Sequence, residues 1–301
     1  MSRRSQLLRW PGAAAWIGAV RDRLLQAAGE RVFERFRTRP PGANRAYDEP
    51  WLGEILGPES RLSPGELVDQ LAADLSSRYR AVRAFHAGRP VDPATYRRRG
   101  LLLATPERLL AEAGEVFVGE DAALAALLPR QDLSLLDNRV CLHLDERFLL
   151  QRFTFYALYG SHFLLGLAVQ LERATGRPQR HLLRERGVPT VAACDVPLDL
   201  LPAADLRQLC CQGIRAALAS QGEAPGEEEP VTDYGFTLHR PLPPEHVVAC
   251  RHPRGLPDIL TQGAAGRPPN SPTPLSGSTA PTPPGPPPTA WRPADGRHRR
   301  R

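Results

Sequence analysis

The sequence predicts an α+β fold in which a split β-sheet sandwich is flanked by helices. Apolar residues recur at helix spacing near the start of the chain, five short apolar runs are typical of strands, and eleven prolines lie between Pro268 and Pro293. Because the proline-rich segment lacks the apolar residues of a core, we expect it to be disordered. The predicted organisation is a helical N-terminal region with a connector (1–62), an α+β domain (63–260) and a disordered Pro/Arg-rich tail (261–301).

The predicted helices follow from apolar spacing and capping signals. Residues 5–37 carry apolar side chains at helix spacing, and residues 38–62 are expected to form an irregular connector. Ser63 and Glu66 match a capping box, and Pro64 suits the first turn, so a helix is predicted to begin there. Further helices are predicted from residue 105 and at 122–128, 162–175 and 200–218.

Five strands are predicted from short runs of apolar residues. The runs lie at 80–86, at 139–145, within 187–197, at 235–239 and at 246–250. The third run contains Val191-Ala192-Ala193-Cys194, which is apolar on both faces and therefore predicts a central strand.

The charge of the chain is concentrated in its last residues. Residues 261–301 hold six arginines and one acid, which accounts for +5 of the net charge of +6. The rest of the chain is nearly neutral, which argues against a basic groove for nucleic acid.

Lysine is absent, as is typical of a GC-rich bacterial genome, and this excludes mechanisms that use a lysine nucleophile or Schiff base.

The composition also predicts in which cellular compartment the protein lies. The apolar run at residues 13–20 is too short to span a bilayer and leads directly into charged residues, so no membrane segment is expected. The five cysteines include no Cys-x-x-Cys pair, so we expect neither a disulfide framework nor a zinc site. A reducing cytoplasm is the predicted location.

One stretch combines residue types that suggest a chemistry. The first predicted strand ends in His86, and Ala87 and Gly88 then allow the backbone to turn close to a ligand. Tyr96 follows shortly before Gly100 and Leu101. A P-loop, a dinucleotide fingerprint, a Gly-x-Ser-x-Gly elbow and a His-Glu-x-x-His motif are all absent from the sequence.

The order of these motifs resembles the ADP-ribosyltransferase superfamily, with some similarity to its RNA 2′-phosphotransferase branch. The resemblance covers roughly residues 80–252, and its motifs are short. It is carried by His86-Ala87-Gly88-Arg89, Tyr96, Gly100-Leu101, Cys141-Leu142-His143-Leu144, Gly235-Phe236-Thr237-Leu238 and Leu242-Pro243-Pro244-Glu245. Arg89 departs from the small or hydroxyl residue usual there, and Asp233 is the nearest acid to the position of the family's glutamate.

The resemblance implies an NAD-dependent transferase, which moves an ADP-ribosyl group to a protein or nucleic acid, or transfers phosphate to NAD. NAD would be a co-substrate, and no metal is implied. Breaking the nicotinamide–ribose bond builds positive charge on the sugar, so the site must hold a bent dinucleotide and stabilise that charge. The implied catalytic residues are His86, His143 and Tyr159, and the implied cofactor-binding residues are Arg89, Tyr96, Tyr156 and Arg147.

Each of these residues also has a structural interpretation. His86 is equally typical of a histidine that caps a strand, and His143 alternates with Cys141 and Asp145 on one face of its strand. Arg89 is typical of a solvated face, and core packing is the expected role of at least one of Tyr156 and Tyr159.

Two other functions remain open at this point. The chain would instead be a non-enzymatic interaction protein if the Pro/Arg-rich tail binds a partner protein or a polyanion. It would be a nucleic-acid-modifying protein only if its charges segregate into a basic groove.

Overall fold

The computed structural model describes residues 6–10, 13–39, 49–130, 138–220 and 233–258. It contains helices and a mainly antiparallel sheet, which confirms the α+β class. Met1–Gly263 form one compact unit, so the N-terminal region belongs to the same unit as the sheet. The tail predicted at 261–301 lies outside the described residues.

The described part of the chain folds into six strands and twelve α-helices. The strands are β1 (Gln6–Leu8), β2 (Tyr79–Gly88), β3 (Val140–His143), β4 (Thr190–Pro197), β5 (Gly235–Leu238) and β6 (Val247–Arg251). The helices are α1 (Ala14–Ala28), α2 (Arg31–Thr38), α3 (Glu49–Leu56), α4 (Pro64–Arg78), α5 (Thr95–Arg99), α6 (Pro106–Val116), α7 (Asp121–Leu127), α8 (Glu146–Arg152), α9 (Thr154–Tyr159), α10 (His162–Thr175), α11 (Arg180–Glu185) and α12 (Ala203–Ala219).

All six described strands hydrogen-bond into a single sheet, whereas the sequence predicts two packed sheets. The order is β5-β3-β2-β4-β6, and β1 runs parallel to the first half of β2. The physical reason is the length of β2, which pairs with β4 along one edge and with both β1 and β3 along the other. The interior position predicted for the third apolar run is confirmed, since β4 lies between β2 and β6.

Local capping explains where the clearest helices begin and end. Ser63 Oγ accepts a hydrogen bond from the Glu66 amide, and Glu66 Oε2 accepts one from the Ser63 amide at 2.8 Å, so the predicted capping box is present. Helix α10 begins after Ser161 and ends at Gly176, whose φ of 69° is the left-handed conformation that glycine tolerates.

Two regions differ from the sequence prediction. Residues 5–37 are not one helix, because β1 precedes α1 and the chain then turns at Gly29, whose φ is 65°. The connector 38–62 is not wholly irregular, since it contains α3. Trp51 lies in that helix and is buried, so the apolar side chains of the connector anchor it to the core.

The sheet separates the hydrophobic core into two sides. On one side β2, β3 and β4 share a cluster with helices α1, α4 and α12, built around side chains such as Trp16, Leu71 and Ile214. On the other side Ala87 and Val191 pack against Leu149 and Ala157 of α8 and α9. Helices α6, α7, α9, α10 and α11 enclose a further cluster. Side chains that alternate along one of these strands therefore face different core clusters.

Among the described residues, no helix combines the length and the apolar character needed to cross a bilayer.

Candidate functional site

His86 lies two residues before the end of β2, with its imidazole fixed by the neighbouring strand. Its Nδ1 is 2.9 Å from the carbonyl oxygen of Cys141. Because a carbonyl oxygen only accepts, this contact requires the proton on Nδ1, which leaves Nε2 as a hydrogen-bond acceptor. Burial lowers the pKa of His86, and the hydrogen bond to Cys141 opposes this effect only partly. The ring is therefore neutral at pH 7, with an acceptor nitrogen available.

Tyr96 packs against the His86 ring. The two ring centroids are 5.6 Å apart and the planes meet at 82°, an edge-to-face contact. Gly88 leaves the room for this contact, because a Cβ there would collide with Tyr96 Oη and lie 3.6 Å from His86 Nε2. Residues 86 and 88 share one face of β2. The sequence motif therefore assembles a histidine, a tyrosine and a glycine at one point.

Gly100 holds the segment that carries Tyr96. Its φ is 72°, and a Cβ there would collide with the carbonyl oxygen of Leu242. Leu101 and Leu242 exchange two backbone hydrogen bonds of 2.9 Å. The Gly100-Leu101 and Leu242-Pro243 motifs are thus joined in space.

The carboxylate of Glu112 lies close enough to Tyr96 to affect its pKa. Burial raises the pKa of Tyr96 above its ordinary value, and the charges of Cys250 and Glu112 add to the effect. Glu112 lies on α6, and burial also raises its pKa. No signal in the sequence marks Glu112, since α6 looks like an ordinary amphipathic helix. Asp233, the acid considered from the sequence, forms an ion pair with Arg215 at 3.1 Å.

His143 lies on the opposite face of the sheet from His86. Phe85 is paired with His143 across β2 and β3, and neighbouring residues of a strand point to opposite faces. The His143 ring contacts Phe153 at 4.9 Å and Phe148 at 6.0 Å between centroids. The structure therefore brings His86 and Tyr96 together and turns the His143 ring away from them.

The environment of His143 is apolar. Burial, followed by the charge of nearby His86, lowers its pKa to about 4. Its Nδ1 is buried and has no hydrogen-bond partner among the described residues. Gly235 leaves space for the ring, because a Cβ there would lie 2.9 Å from Nδ1. His143 is thus a neutral histidine packed among aromatic rings.

Arg89 is held by backbone carbonyls. Its Nε donates to Arg186 O at 2.9 Å and Nη1 donates to Ala157 O at 3.4 Å, while Nη2 donates to Arg184 O. A guanidinium has five N–H donors, so one on each terminal nitrogen is left over. Burial and the charge of Arg184 both lower the pKa of Arg89. Arg89 therefore links α9 and α11 to β2 and keeps donors for a further contact.

Tyr159 lies in a different environment from His86. Its side chain is buried, and Oη donates a hydrogen bond of 2.5 Å to Asp258 Oδ2. Arg184 Nη1 lies 3.4 Å from the same oxygen, and its guanidinium carbon is 6.0 Å from the Tyr159 ring centroid. Burial and the hydrogen bond to Asp258 raise the pKa of Tyr159 to about 12. This contact fastens α9 to the segment after β6.

Tyr156 and Arg147 also make contacts within the chain. The Tyr156 ring lies 4.4 Å from that of Phe155, and burial raises its pKa to about 12. Arg147 Nη2 donates to Asp145 Oδ2 at 2.8 Å, and Asp145, with 1% of its side chain exposed, caps α8. These contacts satisfy the buried Asp145 carboxylate and hold α8 against the sheet.

A cleft opens where β2 ends, β4 begins and β6 ends. Its volume is about 670 Å³. It is lined by Arg89, Leu158, Arg184, Val188, Pro189, His252, Pro253, Arg254, Gly255 and Leu256. We call this the arginine cleft. Of its lining residues, only Arg89 was predicted from the sequence, because the other polar ones come from α11 and the segment after β6, where no motif marks them.

A second cleft of about 860 Å³ lies at the other end of the sheet, near the start of β2. Its polar lining includes Arg80, Asp195, Asp199 and His246. Neither of these two clefts is lined by His86, Tyr96 or His143. Within the described part of the chain, no group of three or more histidine, cysteine or acidic residues is arranged to hold a metal ion.

The fold and site define an α+β chain with one mainly antiparallel sheet, a histidine–tyrosine pair on β2 and an arginine-lined cleft at the end of the same strand. The chain matches no protein-family model, no curated protein and no solved structure. The function is therefore argued from the side chains themselves.

Proposed function

We propose that this protein is an NAD-dependent transferase that moves an ADP-ribosyl group from NAD to an acceptor molecule, or transfers phosphate to NAD. The observation that carries the proposal is the edge-to-face contact of His86 and Tyr96 at the end of β2, with ring centroids 5.6 Å apart. Two residues from distant positions of a recognisable motif meet there. Arg89, three residues beyond His86, lines the cleft at the end of the same strand.

The residues of the pair suit the binding of a ribosyl pyridine. His86 Nε2 is an acceptor in the neutral ring and would receive a hydrogen bond from a ribose hydroxyl. Tyr96 stays protonated, since burial raises its pKa, and presents a flat ring. Arg89 would take a phosphate oxygen with its two remaining donors.

NAD would supply the ADP-ribosyl group through its nicotinamide–ribose bond, which breaks as the acceptor bonds to the sugar carbon and gives up a proton. The chain's part is to hold the sugar and to place negative or dipolar groups near the charge that develops. Glu112 is the carboxylate whose charge reaches Tyr96. The other predicted residues, His143, Tyr159, Tyr156 and Arg147, have structural contacts that account for them and are left outside the proposed reaction.

The proposal is tested by incubating the full chain with NAD and measuring free nicotinamide, with candidate protein and RNA acceptors present. We expect release by the wild type and its loss in His86→Ala. A matched control is His239→Ala, since His239 is exposed and lies after β5. Tyr96→Phe should retain more activity than Tyr96→Ala, because the phenyl ring keeps the flat surface.

Two results would contradict the proposal. One is absence of nicotinamide release from wild-type protein with every acceptor class supplied. The other is equal activity in wild type and His86→Ala at matched folded fractions, as measured by circular dichroism.

A second candidate is a non-enzymatic interaction protein on the same fold. The observation that favours it is the engagement of the predicted residues within the chain: Tyr159 with Asp258, Arg147 with Asp145, and Arg89 with three carbonyls. The Pro/Arg-rich residues 261–301 would then bind a partner protein or a polyanion.

This alternative is tested by deleting residues 262–301 and repeating a pull-down. It predicts loss of partner capture with the thermal unfolding midpoint unchanged. Unchanged capture after the deletion would argue against it.

We propose the cytoplasm as the compartment for either function, in line with five free cysteines in the structure.

A further inference from the structure

The arginine cleft is placed by the topology of the sheet. Strands β2 and β4 are antiparallel with Gly88 paired to Thr190, and β4 and β6 are antiparallel with Val191 paired to Arg251. The residue after β2, the residues before β4 and the residues after β6 therefore meet at one end of the sheet. Arg89, Pro189 and His252 come from these three places. A cleft built from three strand ends is a fixed feature of the fold.

Arg89 brings an uncompensated positive charge to this cleft. The partners of its guanidinium are the carbonyl oxygens of Ala157, Arg184 and Arg186, which are neutral. Among the described residues no carboxylate forms an ion pair with it. The half-buried position of Arg89 makes this arrangement costly, since a charge removed from water is stabilised best by an opposite charge.

Two further arginines add to this charge. Arg184 and Arg254 both line the cleft, and the side chain of Arg184 is 48% exposed. Asp258 contacts Arg184 at 3.4 Å and also accepts the Tyr159 hydroxyl. The described lining of the cleft holds three arginines and no acidic residue, which gives it an excess of positive charge. His252, which lines the same cleft, keeps its ring beside Thr190, with Nδ1 3.1 Å from Oγ1.

The remaining walls of the cleft are apolar. Leu158, Val188, Pro189, Pro253 and Leu256 provide them. Ligand sites of small molecules combine mainly apolar walls with a few placed polar groups, and a volume of about 670 Å³ lies within their usual range. The chemistry that fits is an anionic head, bound by guanidiniums, on an organic body.

We propose that the arginine cleft binds the phosphoryl group of a phosphorylated small molecule, held by Arg89, Arg184 and Arg254. Arginine suits phosphate because its planar fork donates two parallel hydrogen bonds. The proposal stands on the cleft alone and does not require the transfer reaction. It adds Arg184 and Arg254 as binding residues.

The test is isothermal titration calorimetry of the full chain with inorganic pyrophosphate. We expect saturable binding, weakened about tenfold or more by Arg254→Gln and by Arg184→Gln, since each removes a charge-assisted contact. Asp258→Asn should strengthen binding, because it removes the competing negative charge while its amide oxygen still accepts the Tyr159 hydroxyl. The matched control, Arg240→Gln, changes an exposed arginine outside the cleft and should leave the affinity unchanged.

A second arm uses ADP-ribose, with pyrophosphate as competitor. Competition with tighter binding of ADP-ribose supports a site for an organic phosphate ester, and competition at equal affinity supports a site for the phosphoryl group alone. Absence of saturable pyrophosphate binding, an equal loss in Arg240→Gln, or ADP-ribose binding that pyrophosphate does not displace would overturn the proposal.

The two proposals fail separately. Pyrophosphate binding without nicotinamide release overturns the transferase and leaves the phosphoryl site. Nicotinamide release that is unaffected by Arg184→Gln and Arg254→Gln, with no pyrophosphate binding, overturns the phosphoryl site and leaves the transferase.

Discussion

Gly88→Ala is the change whose effect the structure specifies most closely. An added Cβ would collide with Tyr96 Oη, whereas Tyr96 Cζ at 3.5 Å and His86 Nε2 at 3.6 Å would be in ordinary contact. The strain therefore falls on one hydroxyl oxygen. Overpacking of this kind costs about 1–3 kcal/mol, which we expect as the loss in unfolding free energy measured by urea titration.

A double-mutant cycle separates this collision from a general effect of the substitution. Tyr96→Phe removes the colliding oxygen. The loss in unfolding free energy caused by Gly88→Ala should therefore be smaller by about 1 kcal/mol or more when residue 96 is phenylalanine than when it is tyrosine. Gly166→Ala is the matched control. Gly166 lies in α10, and its Cβ would meet nothing within 4 Å, so the change should stabilise the protein by about 0.5–1 kcal/mol. Equal losses from Gly88→Ala with tyrosine and with phenylalanine at position 96 would refute the described position of Tyr96.

Three further predictions concern a buried histidine, a side-chain hydrogen bond and a helix cap. Burial holds the pKa of His143 at about 4, below its value of about 6.5 in the unfolded chain, so the unfolded state binds more protons between these pH values. Stability should therefore fall as pH drops from about 6.5 towards 4, measured as the urea midpoint at each pH. His143→Leu should flatten this dependence, and an unchanged slope in the variant would contradict the assignment to His143. Tyr159→Phe removes the hydrogen bond to Asp258 and should weaken the attachment of the segment after β6 by about 1–3 kcal/mol. Limited proteolysis should then cleave the chain faster after residue 251, and an unchanged cleavage rate would contradict a stabilising role of this hydrogen bond. Ser63→Ala should lower the free energy of unfolding by about 1 kcal/mol through loss of the α4 cap, and no loss would show that the cap does not contribute.

Local signals in the sequence predicted the elements that depend on local contacts. The capping box at Ser63 and the proline in the first turn at position 64 are read from a few adjacent residues, and the structure has both. The strand that carries His86 was likewise found from its apolar run. Local signals could not predict β1, which lies in a region that looks helical, or α3, which lies in a region that looks irregular. The burial of both elements depends on the sheet and on distant helices.

The relation between the site residues needed the register of the strands. A single pairing, Phe85 with His143, decides that the two histidines point to opposite faces, and a shift of one residue would reverse this. No spacing in the sequence carries that information. The arginine cleft was missed for a similar reason, since Arg184 on α11 and Arg254 after β6 are 70 residues apart in the sequence and line one cleft only in the folded chain.

We propose that His86, and not His143, faces the ligand. ¹⁵N NMR of the histidine imidazoles during titration with NAD tests this directly. We expect a saturable shift of the His86 Nε2 resonance, with the His143 resonances unmoved in their apolar setting. A shift confined to His143, or no response of either ring at saturating NAD, would contradict it.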